Sequence, residues 1–388
     1  MSQTLIKNIG LLVTNNSEVD STPLGLIENA AILIESGKVK WVGASESSPG
    51  AEKSIDASGK CVIPGFVDSH NHLIFAGDRS KEFAARMAGQ KYEAGGIAYT
   101  VELTRKASDG DLLSNAGRLQ HEALHSGTTT IEIKSGYGLT VKDEVRSLSI
   151  AKQLTTETTF LGAHVVPSEY KGKAEDYVDL VCGQMLSEIK PHAKWIDVFC
   201  DRGAFTTEQA RKILKAGIAA GLQPRLHANQ LEQGDGIALG VELDAASVDH
   251  VSHFNQSDIE KLARSKTVAT LLPGAEFSTR STYPDARKLI DAGVTVALAA
   301  DCNPGSSYTT NMPLMIALAV REMFMTPEQA VWSATKGGAQ ALRRSDVGHL
   351  TVGATADFVI LKESSYIHLA YRPGVNLIDE VWQHGAKI

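Results

Sequence analysis

Along the beginning of the chain, short apolar runs at 6–13, 30–34 and 38–43 are separated by polar turns, with Gly37 placed where a hairpin reverses. No helical spacing lies between them, so these strands do not belong to a parallel α/β sheet. The same texture returns at 348–361. Two β-rich ends around a long middle predict one small β domain assembled from both termini, residues 1–61 plus 346–388. Between 62 and 345 the pattern changes. Apolar strands at 62–68, 128–133, 158–163, 195–199, 222–226, 245–248, 267–272 and 294–299 alternate with segments of helical spacing, such as 207–217 behind Thr206 or Thr207 as N-cap. Eight alternations of strand and helix over roughly 280 residues predict an α/β fold, a (β/α)8 TIM barrel, with a small β-sandwich-like domain built from both termini. An open doubly wound sheet is the rival, but the chain has no Gly-x-Gly-x-x-Gly after an early strand and no Gly-Lys-Ser/Thr phosphate loop.

Composition narrows the function more than the fold. A chain of 388 residues, 43% hydrophobic and 21% charged, can bury a large core. A net charge of -7 and the lack of a dense Lys/Arg block count against nucleic acid or an anionic membrane as partner. No apolar run approaches the roughly 18 residues that span a bilayer, and the first residues lack a basic stretch leading into an apolar core. A cytoplasmic protein is expected. Cys61, Cys182, Cys200 and Cys302 form no Cys-x-x-Cys and read as reduced, mostly buried thiols. Symmetric dimers are the commonest oligomers, and a homodimer is expected.

The polar residues just after the apolar strands form a coherent set. His70 and His72, one residue apart at the end of the first strand, leave on the same face. His164 follows the third strand, His227 the fifth, His250 the sixth and Asp301 the eighth. In a barrel these positions converge at the C-terminal strand ends. Taken singly, His164 or His250 also suits a hydrogen-bonded core histidine, and Asp301 suits a turn residue ahead of Cys302-Asn303-Pro304-Gly305. Together they suit a metal. Catalytic zinc or ferrous iron takes three or four protein ligands and keeps one position for water. His70, His72 and His227 supply nitrogens and Asp301 a carboxylate for one divalent metal ion, zinc or iron, since His3Asp suits both. Water bound there has its pKa lowered to about 7. Asp301 can also accept its proton, and His250 is left to polarise a substrate carbonyl or shuttle a proton.

The stretch Pro64-Gly65-Phe66-Val67-Asp68-Ser69-His70-Asn71-His72, with His227, His250, Asp301 and the closing Gly353-Ala354-Thr355-Ala356-Asp357-Phe358-Val359, resembles the amidohydrolase superfamily. Within it the chain is similar, nearly end to end, to the hydrolases of histidine degradation that convert 4-imidazolone-5-propanoate to N-formimidoyl-L-glutamate. The most specific segments are Phe75-Ala76-Gly77-Asp78-Arg79, Glu132-Ile133-Lys134-Ser135-Gly136-Tyr137-Gly138, Phe160-Leu161-Gly162-Ala163-His164, Ile196-Asp197-Val198-Phe199-Cys200 and Asp301-Cys302-Asn303-Pro304-Gly305-Ser306. The resemblance implies a small-molecule substrate, imidazolone propanoate, opened by attack of a metal-bound hydroxide on the ring. It implies that Arg79 grips the propionate through two parallel charge-assisted hydrogen bonds, although its spacing also fits a surface arginine paired with Glu82. Tyr137 is expected against the imidazolone ring, His164 on the ring carbonyl or tail, and Asn303, Gly305 and Ser306 on carboxylates of substrate or product.

Two departures narrow what is implied. Binuclear members carry a carboxylated lysine on strand four, and none ends the 195–199 strand, so one metal is favoured. Mononuclear deaminases place a glutamate three residues after the strand-five histidine; this chain has Gln230, which has no proton to give or take. Gln230 is expected to orient the substrate in the catalytic site, with proton transfer left to Asp301 and His250. A deaminase or another cyclic-amide hydrolase of the superfamily is the alternative. A catalytically silent barrel is a further rival, against which the complete ligand set stands.

Overall fold

The computed structural model describes residues 3–89 and 96–388. They form two compact units, Met1–Ser69 with Glu122–Thr130 and Asn311–Ile388, and His70–His121 with Ile131–Thr310. No helix among the described residues is long and apolar enough to cross a membrane.

The chain opens with β1 (Gln3–Val13), β2 (Leu26–Glu35) and β3 (Lys38–Ala44), paired in antiparallel succession. Ser36 and Gly37 turn the β2–β3 hairpin with φ of +52° and +75°. Both central residues must be left-handed for the turn to match the strand twist, and Gly accepts this without strain. β4 (Lys53–Asp56) and β5 (Cys61–Pro64) run parallel to β1, one beside Thr4–Lys7 and one beside Leu11 and Leu12.

The strand expected at 62–68 is two strands. β5 ends at Pro64, which has no N–H to continue a ladder, and Gly65 donates its own N–H to the Asp357 carbonyl at 2.9 Å. A Cβ at Gly65 would stand 2.2 Å from Thr129 Oγ1, so only glycine fits the crossing. The chain then enters a second sheet. Its strands are β6 (Phe66–Asp68), β7 (Thr128–Lys134), β8 (Glu157–Ala163), β9 (Trp195–Cys200), β10 (Gln223–Pro224) with β11 (Leu226–Ala228), β12 (Ser247–His250), β13 (Val268–Leu271) and β14 (Val296–Leu298). They lie side by side in chain order, with β10 and β11 sharing one place beside β9. The ring closes past the last formal strand: Asn71 bridges Cys302 in parallel, His72 N–H donates to the Cys302 carbonyl, and Asp301 N–H donates to the His70 carbonyl, both at 3.0 Å. This is the (β/α)8 barrel. Its fifth strand is broken at Arg225, whose N–H turns to the Ile196 carbonyl at 2.8 Å just after Pro224.

Helices fill the gaps between strands. The helix Thr207–Ala219 starts at Thr206 in a capping box, with Gln209 Oε1 accepting from the Thr206 backbone N–H. Its Ala210, Ile213, Leu214 and Gly217 are buried, the 3- and 4-residue spacing of one helical face. From the far end of the chain, β15 (Phe358–Leu361) pairs antiparallel with β5, followed by β16 (Ile378–Gln383) and β17 (Ala386–Lys387). The terminal sheet therefore joins both ends in the order β17-β16-β15-β5-β1-β2-β3. Ile6, Leu12, Ile32, Val62, Ile360 and the stacked pair Phe358 and Trp382 form its core.

Candidate metal centre

The residues expected from the sequence to hold the metal and the substrate lie in the unit His70–His121 with Ile131–Thr310. His72 Nε2 is 3.3 Å from His70 Nε2 and 3.4 Å from His227 Nε2. Asp301 Oδ1 is 3.6 Å from His70 Nε2 and 3.5 Å from His72 Nε2. A tetrahedral ion with bonds of about 2.0–2.1 Å holds its donor atoms about 3.3–3.4 Å apart. The spacing therefore fits one ion, and the far ring nitrogens agree. His70 Nδ1 donates to Asp249 Oδ2 at 2.7 Å and His227 Nδ1 donates to Asp197 Oδ1 at 3.0 Å. With Nδ1 protonated, Nε2 of both rings presents a lone pair to the same point. His72 Nδ1 has no hydrogen-bond partner among the described residues.

Burial sets the protonation of the site. It drives His70, His72 and His250 well below the usual imidazole range and His164 to about 3, so these rings are neutral near pH 7, as metal ligation requires. It pushes the Asp301 carboxyl well above the usual range, with Glu276 adding to the rise. A cation among the imidazoles is what would hold Asp301 ionised.

Behind the rings runs a buried charge network that the sequence reading missed. Lys134 Nζ bridges Glu132 Oε1 at 3.0 Å and Asp197 Oδ2 at 2.9 Å, and Arg225 Nη2 meets Asp249 Oδ2 at 3.2 Å, all with side chains fully buried. Burial alone would raise the Asp197 carboxyl, but His227 and Lys134 hold it well below its usual range. The available signal was a charged residue inside an otherwise apolar strand, as Asp197 is in Trp195–Cys200.

His250 ends β12, and its ring lies 5.6 Å from that of His70 and 5.4 Å from that of His227. Ligand atoms of these three histidines also fall within 4.8 Å of one another. His250 Nδ1 has no partner among the described residues. Asn229, His250 and Asp301 hold φ values of +55°, +78° and +52°. Each such conformation costs a non-glycine residue on the order of 1–3 kcal/mol, a strain typical of functional sites.

The remaining expected residues surround these groups. His164 stacks on His72 with ring centres 5.3 Å apart and donates Nδ1–H to the Gly136 carbonyl at 3.0 Å. The buried Tyr137 ring is 5.2 Å from His164 and 6.0 Å from His72. Arg79 makes the pair with Glu82 that its spacing allowed, through Nε at 2.8 Å and Nη2 at 2.7 Å, yet it is buried rather than at the surface. Its Nη1 faces Gly305, where an added Cβ would stand 2.3 Å away. Arg86, unforeseen, donates to the Gly305 carbonyl at 2.6 Å. Asn303 organises the loop: its Oδ1 accepts from the N–H groups of Gly305 and Ser306, both at 2.8 Å, and its Nδ2 donates to the Asp301 carbonyl at 2.7 Å. Ser306 Oγ is 3.4 Å from Asp301 Oδ2. Gln230 is half-buried, with its backbone N–H on Asp201 Oδ2 at 2.7 Å and its amide side chain unengaged among the described residues. Glu276, also unforeseen, is buried with Oε1 accepting from Ser252 Oγ at 2.5 Å.

The profile of the Amidohydrolase family matches residues 61–383. The imidazolonepropionase of Mycolicibacterium smegmatis is 62% identical over 385 residues, 99% of this chain and 97% of that protein. That of Salinispora arenicola is 62% identical over 387 residues, 99% and 98% of the two chains. Among solved structures, the atrazine chlorohydrolase of Arthrobacter aurescens complexed with zinc superposes with a TM-score of 0.73 at 17% identity, over 99% of this chain and 94% of that one. The guanine deaminase of C. acetobutylicum superposes at 0.75 and 16% identity over 100% of both chains. These two show the barrel fold, and the full-length likenesses show the kinship: the chain belongs to the amidohydrolase family and, within it, to the imidazolonepropionases.

Proposed function

We propose that the chain hydrolyses 4-imidazolone-5-propanoate to N-formimidoyl-L-glutamate in the cytoplasm, with one zinc or ferrous ion held by His70, His72, His227 and Asp301. The observation that carries this reading is the 62% identity to an imidazolonepropionase over 99% of the chain. The ion, when bound, supplies a Lewis acid and lowers the pKa of its water to about 7. Asp301 takes the proton of the attacking water. His250 is neutral, and an N–H of its ring is free to stabilise the charge that develops on the ring carbonyl. Arg79, anchored by Glu82 and with Nη1 beside Gly305, is the cation that holds the propionate. Tyr137 lies against the imidazolone ring and His164, stacked on His72, contacts the ring carbonyl or tail, while the loop of Asn303, Gly305 and Ser306 lies at the carboxylates. Gln230 orients the ring by hydrogen bonding.

Gln230 also speaks against the deaminase alternative, whose departing ammonia needs a proton that an amide cannot give. The test is elemental analysis of the purified chain together with the loss of imidazolone absorbance on mixing with substrate. A chain that carries zinc or iron and leaves imidazolone propanoate intact would refute the reading.

A further inference from the structure

Helix Pro273–Thr279 starts directly after β13, and β13 lies between β12, which ends in His250, and β14, which leads to Asp301. The turn after β13 is thus placed between the two residues to which proton handling has been given. Glu276 stands in that turn, 2% exposed. Ser252, two residues beyond His250, donates its hydroxyl to Glu276 Oε1 at 2.5 Å. Oε2 has no hydrogen-bond partner among the described residues. Buried polar atoms are nearly always paired, so an unpaired carboxyl oxygen beside a catalytic site calls for a ligand or for a proton of its own. On the strand-eight side, Glu276 adds to the rise that burial gives the Asp301 carboxyl. Leu272, Ala275 and Ala299 make the packing around this helix apolar.

We propose that Glu276 is the acid of this site: the proton on its unpaired carboxyl oxygen passes to the ring nitrogen as the C–N bond breaks, the task for which Gln230 has no proton. This rests on the hydrolase reading above. The water oxygen bonds to the ring carbonyl carbon and the water proton goes to Asp301. The C–N bond breaks with its electron pair left on nitrogen, and nitrogen takes the proton of Glu276. The proton on Asp301 then returns to Glu276, and both carboxyls end as they began. Burial pushes the Glu276 carboxyl of the metal-free chain up to about 7, against the pull of the Ser252 hydrogen bond. The glutamate missing three residues after His227 on strand five is replaced by one from strand seven.

The test uses the full metal-loaded chain and imidazolone propanoate, with kcat followed across pH. In Glu276→Gln, kcat falls by about a hundredfold or more, KM and metal content stay as in the wild type, and the alkaline fall of the profile, where Glu276 loses its proton, disappears. Glu276→Asp recovers part of the rate. A Glu276→Gln enzyme with wild-type kcat overturns the proposal, and so does loss of metal in step with activity, the mark of a structural role. Should that variant fail to fold, Ser252→Ala decides: removing the hydroxyl that favours the charged carboxylate shifts the alkaline fall to higher pH, and an unmoved fall overturns the proposal. A wild-type chain inactive on imidazolone propanoate refutes the hydrolase reading, whereas an active wild type beside an unimpaired Glu276→Gln refutes the role of Glu276 alone.

Discussion

Replacing Asp249 by Asn isolates the charge behind one ring of the proposed metal site. Asp249 Oδ2 is 2.7 Å from His70 Nδ1 and 3.2 Å from Arg225 Nη2, with all three side chains 0% exposed. Asn has the same shape and keeps an oxygen to accept from His70, so ring orientation survives while the charge is lost. Removing such a carboxylate from behind a ligating imidazole weakens metal affinity about 10–100-fold, equivalent to about 1.4–2.7 kcal/mol. A second loss falls on the metal-free chain. Taking one partner from a buried ion pair costs about 3–5 kcal/mol. Burial works against the charge on Arg225, but Glu132 and Asp197 share with Asp249 in maintaining it, which places the expectation at or below the lower figure. Burial raises the Asp249 carboxyl while Arg225 and Lys134 bring it below its ordinary value. Its stabilising charge is therefore present above the unfolded carboxylate pKa and lost as pH falls through the lower, folded one. The gap between wild type and variant should narrow below about pH 4. Chelator competition measures the affinity, and urea unfolding of the metal-free protein at pH 7 and pH 3.5 measures the stability. An affinity within twofold of wild type, with an unchanged unfolding midpoint, would refute the view that Asp249 primes His70 and neutralises Arg225.

Further expectations follow from single contacts. Gly305→Ala places a Cβ 2.3 Å from Arg79 Nη1 while Glu82 anchors the same guanidinium, so KM should rise about tenfold, or about 1.4 kcal/mol, with metal content unchanged in elemental analysis. His72→Ala should remove metal and turnover together, whereas Arg79→Ala should raise KM and leave the metal in place, as paired metal analysis and kinetics will show. Glu276 has its carboxyl raised from 4.5 to about 7, so the folded chain keeps a proton that the unfolded chain has released between those values. Folding is then penalised increasingly as pH rises through that window, by about 3 kcal/mol above it, and Glu276→Gln should raise the melting temperature of the metal-free protein at pH 8 but not at pH 4. Thr206→Ala breaks the capping box and should cost about 1 kcal/mol in urea unfolding without altering KM.

The barrel was legible because parallel strands buried on both faces read as continuous apolar runs, and the cluster of His70, His72, His227 and Asp301 was legible because these residues fell one after another at the ends of those runs. The break at Gly65 was not. The run through Pro64 and Phe66 is apolar on both sides, and which sheet receives its backbone N–H groups depends on Asp357 and Thr129, distant in sequence. Lys134, Asp197, Arg225 and Asp249 were hidden for a related reason. A lone charge in a strand looks like an error of register until the fold supplies its counter-charge from another strand. The same principle governs catalysis in this site. A motif such as His227-Ala228-Asn229-Gln230 reports what one strand end contributes, and read alone it says that the carboxyl acid is missing. Convergence of eight strand ends makes the inventory of the pocket, rather than of any one motif, the quantity that chemistry requires. Glu276, held by Ser252 in the turn after β13, fills the gap at Gln230 from two strands away.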